Sequence, residues 1–271
     1  MKDKVVVITG GSSGIGKALA EVFGSKGSKI VITGRDSDAL SKVVYEFEKK
    51  GIEIIGVHSD VSNWEDNVAM VDQTLTRFGQ IDILINNAGI GMRALFADVE
   101  LEVIKKVMDI NFYGTIYATK ACLPHILKSK GSILGISSIA GYRGLPGKTA
   151  YSTSKFAMQG FLEVLRTELM YTGVNVLTVC PGFTASNIRK ATLNKEGKLQ
   201  GESPRNEDKM MTAEECAKRI YKATVHRRKI LVMTRQGKLA VFINKWFPVW
   251  MDKKVFDLFA SEPGSPLRRE D

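Results

Sequence analysis

The chain has 271 residues, 44% of them hydrophobic and 25% charged, with a net charge of +10, a balance ordinary for a soluble globular domain with a substantial core. Cys122, Cys180 and Cys216 are too few and too far apart for a disulfide framework or a zinc site. The apolar run Val5–Ile8 behind Met1-Lys2-Asp3-Lys4 is too short for a signal-peptide core, so a reducing, cytoplasmic setting is expected.

Short β-branched runs then alternate with longer amphipathic stretches. The first run is 5–9, and its Val5–Ile8 is apolar throughout, as a strand covered on both faces should be. It ends in Thr9-Gly10-Gly11-Ser12-Ser13-Gly14-Ile15-Gly16, and a helical pattern over 14–26 begins at once. Glycines there let backbone N–H groups approach a pyrophosphate, and the helix amino terminus adds donors and partial positive charge. Position directly after the first strand is what makes such a motif a dinucleotide cradle. The second run, 29–33, ends Thr33-Gly34-Arg35, with no carboxylate before Asp36. Many dinucleotide folds hold the ribose hydroxyls with an acid at this edge. A guanidinium suits a 2′-phosphate instead, which predicts NADP(H) over NAD(H).

A helix at 38–50, a strand at 53–57 followed by Asp60-Val61, a helix at 62–78 and a strand at 81–85 continue the alternation. Asn86-Asn87-Ala88-Gly89 follows, then a long helical pattern over 100–128 containing Asn111, and a strand at 132–136 leading to Ser138. The next helix, 151–172, opens Tyr151-Ser152-Thr153-Ser154-Lys155. Residues four apart share a helix face, so a phenol and an ammonium lie side by side. The ammonium favours the phenolate and draws a pKa near ~10 towards the range of general acid–base work. A strand at 174–179 is followed by Pro181-Gly182-Phe183-Thr184, and the polar 185–210, with Gly197, Gly201 and Pro204, reads as a flexible lid or surface loop. A helix at 212–226 and a strand at 229–233 close the pattern. Alternation of this kind predicts a parallel sheet of about seven strands with right-handed crossovers covering both faces.

Between Cys216 and Met251 there are nine basic residues and no acidic one. A solvated basic face is the simplest account, beside an anionic membrane or nucleic acid. Residues 238–259 hold Trp246 and Trp250 among lysines, and their apolar part, 239–251, is only thirteen residues long and interrupted by Asn244, Lys245 and Pro248, too short to span a bilayer. They suit an interfacial element with aromatics inserted and lysines at headgroups, or a segment docked over the substrate pocket or on another subunit.

Taken together, these motifs resemble the short-chain dehydrogenase/reductase family over about residues 4–233. Thr9–Gly16 is similar to its TGxxxGxG, Asp60-Val61 to its adenine-contacting pair, and Asn86–Gly89 to its NNAG. Asn111, Ser138, Tyr151 and Lys155 match its catalytic tetrad, and Pro181-Gly182-Phe183-Thr184 its PG motif. The resemblance implies a doubly wound Rossmann-type α/β fold spanning 1–236, with 237–260 an extension and 261–271 a flexible tail. It implies cofactor contacts from Thr9, Gly10, Ser12, Ser13, Gly14, Ile15, Gly16, Arg35, Asp60, Val61, Asn87, Ala88, Gly89, Tyr151, Lys155, Pro181, Gly182 and Thr184. Tyr151 would exchange a proton with a carbonyl or alcohol oxygen, and Lys155 would lower its pKa and hold the ribose. Ser138 would hydrogen-bond the substrate oxygen, and Asn111 would fix a relay water. Carbonyl reduction or alcohol oxidation is the expected activity. The extension is similar to that of members acting on lipid- or steroid-like ketones. A homo-oligomer is expected, with no metal and no nucleic-acid partner. A non-catalytic cofactor sensor on the same fold is the competing function.

Overall fold

The computed structural model describes residues 1–185, 188, 191–201, 210–262, 264, 265 and 267. In chain order, β1 (Val5–Thr9), α1 (Gly14–Gly24), β2 (Lys29–Gly34), α2 (Ser37–Glu48), β3 (Ile54–His58), α3 (Trp64–Phe78) and β4 (Ile83–Asn86) form the first half. A short strand β5 (Gly91–Met92), α4 (Leu101–Met108), a π turn (Asp109–Tyr113), α5 (Gly114–Ser129) and β6 (Ser132–Ile136) follow. Then come α6 (Thr149–Glu168), β7 (Asn175–Cys180), a short strand β8 (Thr192–Leu193), α7 (Ala213–Val225) and β9 (Ile230–Val232). Two helices, α8 (Arg235–Trp246) and α9 (Pro248–Ala260), follow, and a 3₁₀ turn (Ile139–Gly141) lies between β6 and α6.

Among the described residues, seven strands make one parallel sheet in the order β3-β2-β1-β4-β6-β7-β9. The expected doubly wound α/β fold is the observed one. Successive side chains of a strand face opposite ways. Val5 and Val7 therefore join one core with Val107, Ile126 and Met158, while Val6 and Ile8 join the other with Leu19, Phe23 and Phe47. Strand order reverses between β1 and β4, so their carboxyl ends diverge and leave a crevice there.

Two expectations need correction. The helical pattern at 100–128 is not one helix, because a π turn at Asp109–Tyr113 divides it. The cause is Asn111, which is fully buried and turns its amide towards the Ile90 backbone. The expected flexible segment at 185–210 is structured where it is described. Thr192 and Leu193 pair with Gly91 and Met92, and Asn194 closes a turn by accepting from the Glu196 and Lys198 amides. Residues 186, 187, 189, 190 and 202–209 of that segment lie outside the described set, as do 263, 266 and 268–271 of the expected tail. Pro248 interrupts the extension as expected, since α8 stops at Trp246 and a separate helix begins there. It opens α9 at the first turn, where its missing N–H costs no hydrogen bond.

Candidate active site

The crevice at the strand ends is a cleft of about 450 Å³. Gly10, Ser12, Ser13, Gly14 and Ile15 line it from the β1–α1 loop, and Asp60, Val61, Asn87, Ala88 and Gly89 from the ends of β3 and β4. Ser138, Tyr151, Lys155, Pro181, Gly182 and Thr184 line it from the ends of β6 and β7 and from α6, and Arg35 from the end of β2. All of these were named from sequence, and they share one cavity. Thr9, Gly16 and Asn111 stand behind its wall.

Thr9 works from there as a brace. Its hydroxyl accepts from the Asn87 and Ala88 amides, each at 3.0 Å, while Asn87 Nδ2 donates to the Thr9 and Gly10 carbonyls at 2.9 and 3.0 Å. These bonds bind the β1 and β4 loops across the switch point. Gly10 adopts φ +67°, the left-handed region, and a Cβ on Gly16 would lie 2.2 Å from the Gly10 carbonyl oxygen. The loop can therefore pass tightly over the start of α1 only with glycine at both places. Ser13, the residue capping α1, makes no side-chain cap hydrogen bond, and the first turn holds no acidic residue. The helix amino terminus is open to an anion, which is what a dinucleotide pyrophosphate requires.

At the β2 end, Asp36 is committed elsewhere. Its carboxylate accepts from the Ala39 amide at 2.9 Å as the cap of α2. Arg35 is more than half exposed, with Nη1 3.8 Å from Asp60 Oδ2. Burial pushes the Asp60 carboxyl up, but hydrogen bonds from Ser62 and the Arg35 charge outweigh it, and the pKa lies below the usual value. A Cβ on Gly34 would come within 3.5 Å of Ser12 Oγ, so Ser12 and Arg35 flank one corner of the cleft.

Lys155 is the most constrained group. Its side chain is buried, and Nζ donates to the Ile136 carbonyl at 2.9 Å and sits 5.8 Å from the centroid of the Tyr151 ring. Burial pulls the ammonium pKa down to about 8. Tyr151 is half-buried one turn away on the same helix face. Ser138 ends the β6 loop and accepts from the Ala140 amide, with its hydroxyl hydrogen left to donate into the cleft. Behind them lies support of which the sequence singled out Asn111 alone. Ser137 donates to the Lys155 carbonyl, Gln159 donates to Ser137 Oγ and to the Ser138 carbonyl, and Asn111 Nδ2 donates to the Ile90 carbonyl and to Ser154 Oγ. Gln159, one turn beyond Lys155, was the readable hint, since that spacing keeps it on the helix face that carries Tyr151 and Lys155.

The extension also reaches the cleft. Phe259 and Glu262 line it, and Glu262 Oε2 is 3.6 Å from Arg93 Nη2, with both side chains largely buried. Arg143 holds α9 by pairing with Asp252 and donates to Asn244 Oδ1 at the end of α8. No signal in the sequence pairs Arg93 with Glu262, because 169 positions separate them.

A family model described as short chain dehydrogenase matches residues 4–197. Dehydrogenase/reductase SDR family member 7B of Xenopus tropicalis is 35% identical over 256 residues, which cover 92% of this chain and 83% of that protein. An Arabidopsis thaliana protein named 11-beta-hydroxysteroid dehydrogenase-like 4A is 34% identical over 264 residues, covering 96% and 83%. Among solved structures, a short chain dehydrogenase/reductase from Burkholderia phymatum in complex with NAD matches with a TM-score of 0.83 at 26% identity, over 92% of this chain and 95% of that one.

Proposed function

The chain belongs to the short-chain dehydrogenase family, and from that premise we propose that it is an NADP(H)-dependent oxidoreductase interconverting a bulky apolar ketone and its secondary alcohol. The observation that carries this reading is the placement of Ser138, Tyr151 and Lys155 in the wall of the same cleft that the open amino terminus of α1 faces.

When bound, a nicotinamide dinucleotide supplies the hydride in reduction and accepts it in oxidation. The chain does the rest. Gly10, Ser12, Ser13, Gly14 and Ile15 hold the pyrophosphate, and Asp60, Val61 and the Asn87–Gly89 turn border the adenosine and ribose. Pro181, Gly182 and Thr184 position the nicotinamide amide. Tyr151 gives its phenolic proton to the carbonyl oxygen in reduction and takes the alcohol proton in oxidation. Ser138 donates a hydrogen bond to that same oxygen as negative charge develops on it. Lys155 keeps a positive charge beside the phenol and so lowers the cost of its ionisation. Asn111 is a positioning residue that fixes Ile90 and, through Ser154, the start of α6. A relay water at Asn111 would have to share its backbone carbonyl, which already accepts from Thr115 Oγ1.

The NADP(H) preference rests on Arg35, with Asp36 occupied as a helix cap. The substrate class rests on Ile90, Leu145, Phe183 and Phe259 around the cleft, and agrees with the steroid dehydrogenase name of one relative. A homo-oligomer is proposed through the outer face of α6. Phe156, Gly160 and Val164 are exposed there at four-residue spacing, and Gly160 admits a close partner helix.

A panel of aliphatic, cyclic and steroid-like ketones, followed by nicotinamide absorbance with NADPH and with NADH, tests the reading. Turnover with NADPH is expected to exceed that with NADH at least tenfold. Arg35→Asp should reverse the order, since it trades a phosphate-gripping group for a hydroxyl acceptor. Higher turnover with NADH in the unaltered protein would overturn the cofactor assignment and leave the reaction class standing.

A further inference from the structure

The opposite border of the sheet carries a second constellation, separate from the nicotinamide cleft. Strand β9 is the edge strand, and a groove of about 800 Å³ runs along it between α7 and the start of α8. Arg219, Lys222, His226, Arg228, Arg235 and Lys238 line it. Among the described residues its lining carboxylate is Glu215, which is committed to Arg219 at 2.5 Å. The lysines and arginines of this set, gathered beside an edge strand, give a concave surface of positive potential.

The groove runs directly into an apolar surface. Lys238 lines the groove, and its neighbour Leu239 begins a stripe on α8 that continues through Phe242 and Trp246 at helical spacing, each about 60% exposed. At the turn into α9 the stripe extends to Phe247, Val249 and Trp250, all exposed. The opposite face of the hairpin is spoken for, because Met251, Val255 and Phe259 pack with Leu145, Ala240 and Ile243. Lys245 and Lys254 lie against Trp246 and Trp250, at 5.8 and 5.6 Å from a ring centroid. Aromatics that carry an ammonium beside the ring suit the boundary between headgroups and acyl chains. Among the described residues no helix is long and apolar enough to cross a membrane.

We propose that this end of the molecule docks on an anionic lipid surface. The β9 groove takes headgroup phosphates or carboxylates, while Leu239, Phe242, Trp246, Phe247 and Val249 enter the interface. A second copy of the chain fits less well. A two-fold contact sets a patch against itself, which would bring the cations of two grooves together. A nucleic acid would match the groove but leave the aliphatic and aromatic stripe in water.

The test is flotation of the full chain with vesicles of phosphatidylcholine alone and of phosphatidylcholine with phosphatidylserine, over a range of sodium chloride concentrations. Tryptophan emission is read in a Trp64→Phe background so that only Trp246 and Trp250 report. Flotation with the anionic vesicles, weakened by salt and accompanied by a blue shift, is the expected result. Arg219→Ala, Lys222→Ala and Arg235→Ala together should lower partitioning about a hundredfold, as three cations near an anionic surface require. Phe242→Ser with Trp246→Ser should abolish the blue shift. Both sets lie outside the cleft, so nicotinamide-dependent turnover should persist and will report that the chain is folded. No flotation with either vesicle, or equal flotation with both, would overturn the proposal. So would preferential retention on DNA, or a dimer that Phe242→Ser with Trp246→Ser converts to a monomer.

Discussion

In the proposed mechanism Lys155 is both a catalytic asset and a folding cost. Its ammonium is enclosed with a single backbone carbonyl, and burial pulls its pKa to about 8 from an ordinary 10.5. Below about pH 8 the folded chain carries the charged form at a penalty on the order of 3 kcal/mol. Between pH 8 and 10.5 the unfolded chain binds more protons than the folded one, so this residue's contribution to stability improves as pH rises through that window. Lys155→Met should therefore remove turnover and yet stabilise the cofactor-free protein at pH 7 by about 2 kcal/mol, after allowance for the Ile136 carbonyl left unpaired. The advantage should vanish near pH 10. Urea midpoints of both proteins at the two pH values check this, and a Lys155→Met protein less stable than the unaltered one at pH 7 would contradict it. The Tyr151–Lys155 pair was legible in the sequence because four-residue spacing is local geometry. The depth of Lys155 was not, since it comes from β6 and β7 closing over it from positions remote in the chain.

Among the elements, the break between α4 and α5 shows a local pattern overridden by a distant partner. Apolar periodicity alone reads 100–128 as one helix. Asn111 instead takes two bonds with Ile90 and one with Ser154, and the chain accommodates an extra residue in the turn. Insertions of this kind occur mostly at functional sites. Asn111→Leu leaves the Ile90 amide and carbonyl buried and unpaired, and should cost on the order of 3 kcal/mol in urea unfolding. A loss under about 0.5 kcal/mol would mean that the π turn persists without its amide. The α8–α9 hairpin was legible as an amphipathic extension, but not its division of labour, one face on the cleft wall and the other outward. Phe259→Ala should loosen α9 first, because Met251, Val255 and Phe259 are its buried stripe. Hydrogen exchange is expected to quicken across 248–260 while β1 and β4 stay protected, and KM for bulky ketones to rise with little change for small ones. Uniform acceleration across the sheet would instead make α9 part of the main cooperative unit.

Across the whole molecule, the doubly wound sheet gathers the ends of six strands at one cleft, so motifs spread from Gly10 to Thr184 become neighbours. That convergence was readable because alternating strands and helices admit few topologies. Arg93, Glu262 and Phe259 entered the site only through packing of the chain's far end, for which local spacing holds no signal. The central claim is that the Tyr151 phenol handles the proton that accompanies hydride transfer. It is tested most directly by single-turnover oxidation of bound NADPH by the best ketone of the panel, in the unaltered protein and in Tyr151→Phe, with cofactor affinity measured in both. The account predicts a loss of about a thousandfold or more in the phenylalanine protein with NADPH binding retained; equal rates in the two proteins would contradict it.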